Sequence, residues 1–184
     1  MLRLFLAVDL PDPVRHEVAA LCTQVHQARW VKPHQLHITL RFMGQTPDEA
    51  LAHIRDQLAR VHVSSFDLAL RGAGIFPGGE SHRRARVLWL GLDPVEPLVH
   101  LKHAIDACLG PDLERASFSP HLTLARFTER PDATLTQFLS QHQAYRSAHW
   151  PVACFHLYKS TLQSSGAVHE VVETYALARI CREQ

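Results

Sequence analysis

Cysteine is scarce and scattered. Cys22, Cys108, Cys154 and Cys181 lie far apart among apolar neighbours, which suits buried free thiols and excludes both a disulfide framework and a zinc-knuckle spacing. Long apolar runs are also missing: "LFLAVDL" is broken by Asp9 and followed by Pro11, and nothing reaches the roughly 18 to 20 apolar residues of a membrane span. The stretch lacks the shape of a signal peptide, so a cytoplasmic protein with no membrane partner is expected. Charge of one sign is absent too. Nineteen Lys and Arg against 18 Asp and Glu leave a net charge of +1, so no global field attracts polyanions, and any basic site must be local. There is no low-complexity tract and no Gly/Ser-rich linker. A chain of 184 residues suits one domain, or two small lobes sharing an interface, and with no strong exposed apolar repeat a monomer is expected.

Histidine, by contrast, is plentiful, with 14 residues, and it is the side chain best suited to moving protons near neutral pH. Around these residues the chain reads as alternating strands and helices. "LRLFLAVDL" alternates with period 2, and Pro11 and Pro13 open a helix expected to run to about Ala28 with Val14, Val18, Leu21, Cys22 and Val25 on one stripe. "VKPHQ" is a loop before a strand at "LHITLRF". Pro47 starts a second helix carrying Leu51, Ile54, Leu58 and Val61. "SFDLALRGAGIF" and "ARVLWLGL" form a hairpin across the loop "PGGESHRR". Pro94 and Pro97 begin a helix that ends at Gly110 and Pro111. A strand at "HLTLARF", a short helix from Asp132 to Gln141 and two long closing strands complete the chain. Strands joined by both hairpins and helices point to an α+β fold with mainly antiparallel sheets and outer helices.

One pattern occurs twice. "HITL" spans residues 37 to 40 and "HLTL" spans 121 to 124, where chance would supply about 0.1 occurrences in such a chain. Side chains alternate along a strand, so His37, Thr39 and Arg41 are expected on one face, with Leu36, Ile38, Leu40 and Phe42 on the other. Likewise His121 and Thr123 oppose Leu122 and Leu124. Each strand thus offers an imidazole and a hydroxyl about 7 Å apart.

Together with "RARVLWLGL" between them and "SPHLTLARF" around the second, these motifs resemble the 2H phosphoesterases, specifically the bacterial and archaeal RNA 2',3'-cyclic phosphodiesterases also called 2'-5' RNA ligases. The likeness runs from "RLFLAVDLP" to the closing strands. It implies one bilobal domain over residues 1 to 184, two pseudo-symmetric lobes each with an antiparallel sheet, and a cleft between them lined by both motifs. It further implies His37 as general acid toward the ribose 3' oxygen, His121 as base for water, and Arg126 beside Thr39 and Thr123 on the phosphate. One departure is visible: where the family has Gly followed three residues later by Tyr, this chain has Gly166 and His169, a change expected to touch only a peripheral contact.

Such a pair of imidazoles can open a cyclic phosphodiester without a metal or other cofactor, one accepting a proton from water and one protonating the leaving oxygen. The threonine hydroxyls can donate to the non-bridging oxygens. Strict alternation would turn Arg126 to the apolar face, so a bulge or strand end is required near Ala125; Arg41 has the right parity and competes for the role. Arg84 and Arg86, in "HRRAR", are further candidates for RNA phosphates. The pairs His34/His37 and His100/His103 lack the Cys, Asp or Glu that would complete a metal site. Two other activities fit the same constellation. One is ATP-independent 2'-5' ligation, disfavoured because water at about 55 M competes with an RNA hydroxyl. The other is a catalytically silent RNA-binding protein.

Overall fold

The computed structural model describes residues 1–22, 25–77, 85–112, 118–163 and 166–179. In chain order the elements are β1 (Leu2–Asp9), α1 (Asp12–Leu21), β2 (Arg29–Trp30), a 3-10 turn (Pro33–Gln35), β3 (His37–Thr46), α2 (Ala50–Leu58), β4 (Phe66–Pro77), β5 (Ala85–Asp93), α3 (Glu96–Leu109), β6 (Leu122–Arg126), α4 (Ala133–His142), β7 (Trp150–Val152), β8 (Cys154–Gln163) and β9 (Gly166–Ala176). None of the described helices is long and apolar enough to cross a membrane.

The fold is α+β. The strands run β7-β4-β5-β6-β3-β1-β8-β9, with β2 attached to β6, and every pair of these strands is antiparallel. Two four-stranded halves, β7-β4-β5-β6 and β3-β1-β8-β9, therefore join edge to edge at β3 and β6. Among the described residues that junction is a single pair, Ile38↔Leu122. Where β3 leaves β6, β2 takes its place, pairing Arg29↔Arg126 and Trp30↔Ala125.

One apolar core spans both halves. It includes Leu4, Leu6 and Val8 of β1, Val14 and Val18 of α1, Ile54 and Leu58 of α2, Leu98, Leu101 and Ile105 of α3, and Leu135 and Phe138 of α4. The opposite face of β1 carries Phe5 and Ala7, which form a smaller cluster with Tyr158 and Phe42. Both faces of β1 are thus covered, which explains why Leu4 through Val8 are all buried.

Helix α1 is shorter than its apolar stripe implied. It ends at Leu21 instead of continuing to about Ala28. The intervening chain must reverse to bring β2 antiparallel to β6, and Gln27 takes a left-handed φ of 60° there. Val25 still reaches the core, 4% exposed, from outside the helix. Helix α3 stops at Gly110, whose φ of 84° is open to glycine at little cost.

Beside that helix end lies a buried ionic cluster. Lys102, 4% exposed, bonds to Asp106 and sits 3.2 Å from Asp112. Arg41 of β3 donates to Asp106 at 2.9 Å and to the carbonyls of Gly110 and Pro111 at 2.6 and 3.3 Å. The cluster ties the strand of the first motif to the chain that leads toward the second. Removing Asp106 leaves Lys102 with Asp112 alone and Arg41 with carbonyl partners only. Asp106→Ala is therefore expected to lower stability by about 1 to 3 kcal/mol in urea denaturation, and an unchanged midpoint would show that the cluster holds nothing together.

Candidate active site

Ile38 and Leu122 are both fully buried on the core side. Alternation turns their neighbours His37, Thr39, His121 and Thr123 to the opposite face. An antiparallel pair centred on Ile38 and Leu122 also sets each histidine near the threonine of the other strand. The two motifs are thereby related by a local two-fold arrangement.

The same arrangement continues beyond the threonines. In β3 the register against β1 slips between Ala7↔Thr39 and Leu6↔Arg41, leaving Leu40 as an extra residue. In β6 the register against β5 slips between Trp89↔Thr123 and Leu88↔Ala125, leaving Leu124 as an extra residue. Each bulge reverses the parity that follows it. In β6 this brings Arg126 to the cleft face, and a bulge near Ala125 is what its placement there required. In β3 it brings Phe42 to the cleft and turns Arg41 away.

The imidazoles are held alike. His37 donates from Nδ1 to the Gln35 carbonyl at 2.7 Å, and His121 donates from Nδ1 to the Ser119 carbonyl at 2.8 Å. A carbonyl only accepts, so Nδ1 carries the hydrogen in both rings and Nε2 is left for proton exchange. Aromatic rings support each one. His37 lies 5.0 Å from Phe5, which stacks on Tyr158, while His121 meets Phe76 edge-on at 4.7 Å, with Trp89 beyond.

Burial lowers the pKa of His37 to about 4, against the opposing Gln35 hydrogen bond, and nearby His169 and Arg126 lower it further. His169 stands 5.5 Å from His37, nearly perpendicular, and its own pKa is lowered by burial, then by Arg3 and His34.

A cleft of about 890 Å³ runs along this face, lined by His37, Thr39, Thr123 and Arg126, by Phe5, Phe42, Leu162 and His169 at one end, and by Arg29, Trp30 and Arg86 at the other. Arg3 also lines it. Among the described residues the lining includes four arginines and no carboxylate, so the balanced whole-chain charge conceals a locally basic groove. Such a groove can hold an anion between two hydroxyls, a guanidinium and two imidazoles.

The structure thus brings His37, Thr39, Thr123 and Arg126 to one cavity, with His121 on the same face beside Leu122. Arg86 is at the rim; Arg84 lies outside the described residues. Arg41 is a correction: its guanidinium is engaged by Asp106 and two carbonyls on the core side, because the Leu40 bulge inverts the parity assumed for it. His169 is a second correction, since it lines the cleft next to His37 and is not peripheral. Phe42 is a further correction: expected on the apolar face, it lines the cleft because the Leu40 bulge inverts its parity too, while Arg3 and Arg29 went unnoticed in the sequence. Only the unexplained break between the first helix and "VKPHQ" could have drawn attention to Arg29. Among the described residues no group of three or more His, Cys, Asp or Glu side chains is placed to hold a metal ion.

Known proteins resemble this chain over most of its length. The model of the 2'-5' RNA ligase superfamily matches residues 10–163. An RNA 2',3'-cyclic phosphodiesterase of Thermus thermophilus is 34% identical over 96% of this chain and 90% of its own length. The crystal structure of TT0787 of Thermus thermophilus superposes with a TM-score of 0.79 at 29% identity, covering 97% of this chain and 99% of that one. LigT of E. coli, solved in complex with NADP+, gives a TM-score of 0.75 at 25% identity, covering 96% and 98% of the two chains.

The burial of His37 has a measurable consequence. In an NMR titration of the imidazoles, His37 is expected to stay neutral down to about pH 4, below the ordinary value of about 6.5. The unfolded chain binds that proton at about pH 6.5, so stability is full above this pH and falls as pH drops toward the folded-state value. His37→Gln should flatten that part of the pH dependence of Tm. A His37 signal titrating at about 6.5 or above would contradict the desolvation.

Proposed function

This chain belongs to the 2'-5' RNA ligase superfamily, the 2H phosphoesterases, and on that premise we propose that it is an RNA 2',3'-cyclic phosphodiesterase working by paired-histidine acid–base catalysis. Water adds to phosphorus, the bond to the ribose 3' oxygen breaks, and a 2'-phosphate end remains. The observation that carries this reading is the matched pair of imidazoles. Each is tied through Nδ1 to the carbonyl two residues upstream, on strands that meet at the very next residue. Both halves supply this pair, so residues 1 to 184 are read as one bilobal catalytic domain.

Within the reaction, the base takes a proton from water while the acid protonates the departing oxygen, each contributing about 10²- to 10⁴-fold. Thr39 and Thr123 donate hydrogen bonds to the non-bridging oxygens, and Arg126 faces their charge. Family likeness makes His37 the acid and His121 the base. Burial weighs against that order, because desolvation lowers the pKa of His37 to about 4 and so favours its neutral form. As acid, His37 must take up its proton as the anionic diester enters and favours the imidazolium; as base it would need no such change.

Both points can be tested. Incubated with a nucleoside 2',3'-cyclic phosphate at neutral pH, the protein is expected to yield the 2'-phosphate, read by ³¹P NMR. His37→Ala and His121→Ala should each lose about 10²-fold or more in kcat with unchanged circular dichroism. No turnover by the unaltered protein would leave only an RNA-binding cleft. A substrate with sulfur in place of the bridging 3' oxygen needs no acid to expel its thiolate. It should restore His37→Ala and not His121→Ala; the reverse pattern would exchange the two roles.

A further inference from the structure

The cleft holds more positive charge than one reacting phosphate requires. A cyclic phosphodiester carries a single negative charge, which Arg126 answers. Arg3, Arg29 and Arg86 line the same cavity, whose lining has no carboxylate among the described residues. Among the described residues none of these four forms an ion pair, whereas Arg15, Arg41, Arg55, Arg71 and Arg146 each face a carboxylate.

Arg29 is the most telling of them. It stands directly opposite Arg126 across the β2–β6 pair, and like charges facing each other across strands destabilise the pairing. An anion lying between or alongside them removes that cost. On the other flank of β6, Val87 faces Arg126 and Arg86 follows at the rim. Arg86, Arg126 and Arg29 thus stem from three adjacent strands, β5, β6 and β2, whose backbones are spaced about 4.8 Å apart. That row is too wide for one phosphate and suits successive phosphates of one chain.

We infer that Arg29, with Arg86 at the rim, binds the phosphodiester one nucleotide upstream of the cyclic end, so that the cleft selects the terminus of an RNA chain over a cyclic mononucleotide. This rests on the reaction proposed above and adds a second phosphate site to it. Charge-assisted contacts of this kind are worth about tenfold each.

The test compares three substrates: a nucleoside 2',3'-cyclic phosphate, a dinucleotide ending in that group, and the same dinucleotide with an uncharged methylphosphonate as its internal linkage. The unaltered protein is expected to favour the charged dinucleotide over the mononucleotide by about tenfold in kcat/KM, and to lose that preference with the methylphosphonate. Arg29→Gln should reduce the ratio of dinucleotide to mononucleotide toward one, and Arg29→Lys should keep most of it. Equal kcat/KM for all three substrates would overturn the inference, as would an undiminished preference for the methylphosphonate or an unchanged ratio in Arg29→Gln. The substrate comparison stands even if Arg29→Gln fails to fold. Absence of turnover of every substrate by the unaltered protein would instead strike the proposed reaction itself.

Discussion

One backbone pairing organises the molecule: Ile38 against Leu122, the junction of two four-stranded halves. Both side chains are sealed in the core. The apolar burial that holds the halves together is therefore the same constraint that turns His37, Thr39, His121 and Thr123 outward. A slip of one residue in either strand would bury its histidine and threonine and expose its leucines. The positions of the polar groups are thus enforced by apolar ones.

Past the threonines the two strands obey the same geometry with different chemistry. Each has a leucine bulge, Leu40 in one and Leu124 in the other, and each then presents a residue to the cleft. In β6 that residue is Arg126; in β3 it is Phe42. The residues turned inward differ as well: Ala125 is buried in the apolar core, and Arg41 enters an ionic cluster with Asp106. A symmetric frame thereby carries an asymmetric groove, with Phe5, Phe42 and His169 beside Arg3 in one half and Arg29, Arg86 and Arg126 beside Trp30 in the other. The proposed reaction is asymmetric in the same sense, since the ribose and the upstream chain must be told apart. The imidazoles follow suit, with His37 pressed among Phe5, Tyr158 and His169 while His121 rests on Phe76.

Much of this was legible without coordinates. Period-2 alternation located the strands and their faces up to each threonine, and Pro and Gly marked most helix ends. The need for a bulge near Ala125 followed from the role that the family resemblance implies for Arg126. Arg41 was misplaced by the same reasoning, because nothing local announces the Leu40 bulge. The two-residue strand at Arg29–Trp30 was invisible for a related reason: so short a segment carries no periodicity, and it is a strand only because β6 offers a free edge there. His169 looked peripheral because both central motifs are intact without it; the strand order β3-β1-β8-β9 brings β9 to the same half of the sheet, and its ring lies against His37.

The sequence by itself determined which residues are polar within each strand, the doubled His-x-Thr-Leu pattern and the alternation of strands and helices, since these depend on side-chain chemistry and nearest-neighbour geometry. Tertiary structure alone decided which arginines share the groove, which histidine is desolvated and which face follows each bulge. Those outcomes depend on distances between residues remote in the chain, where burial and charge act through space and not along the backbone.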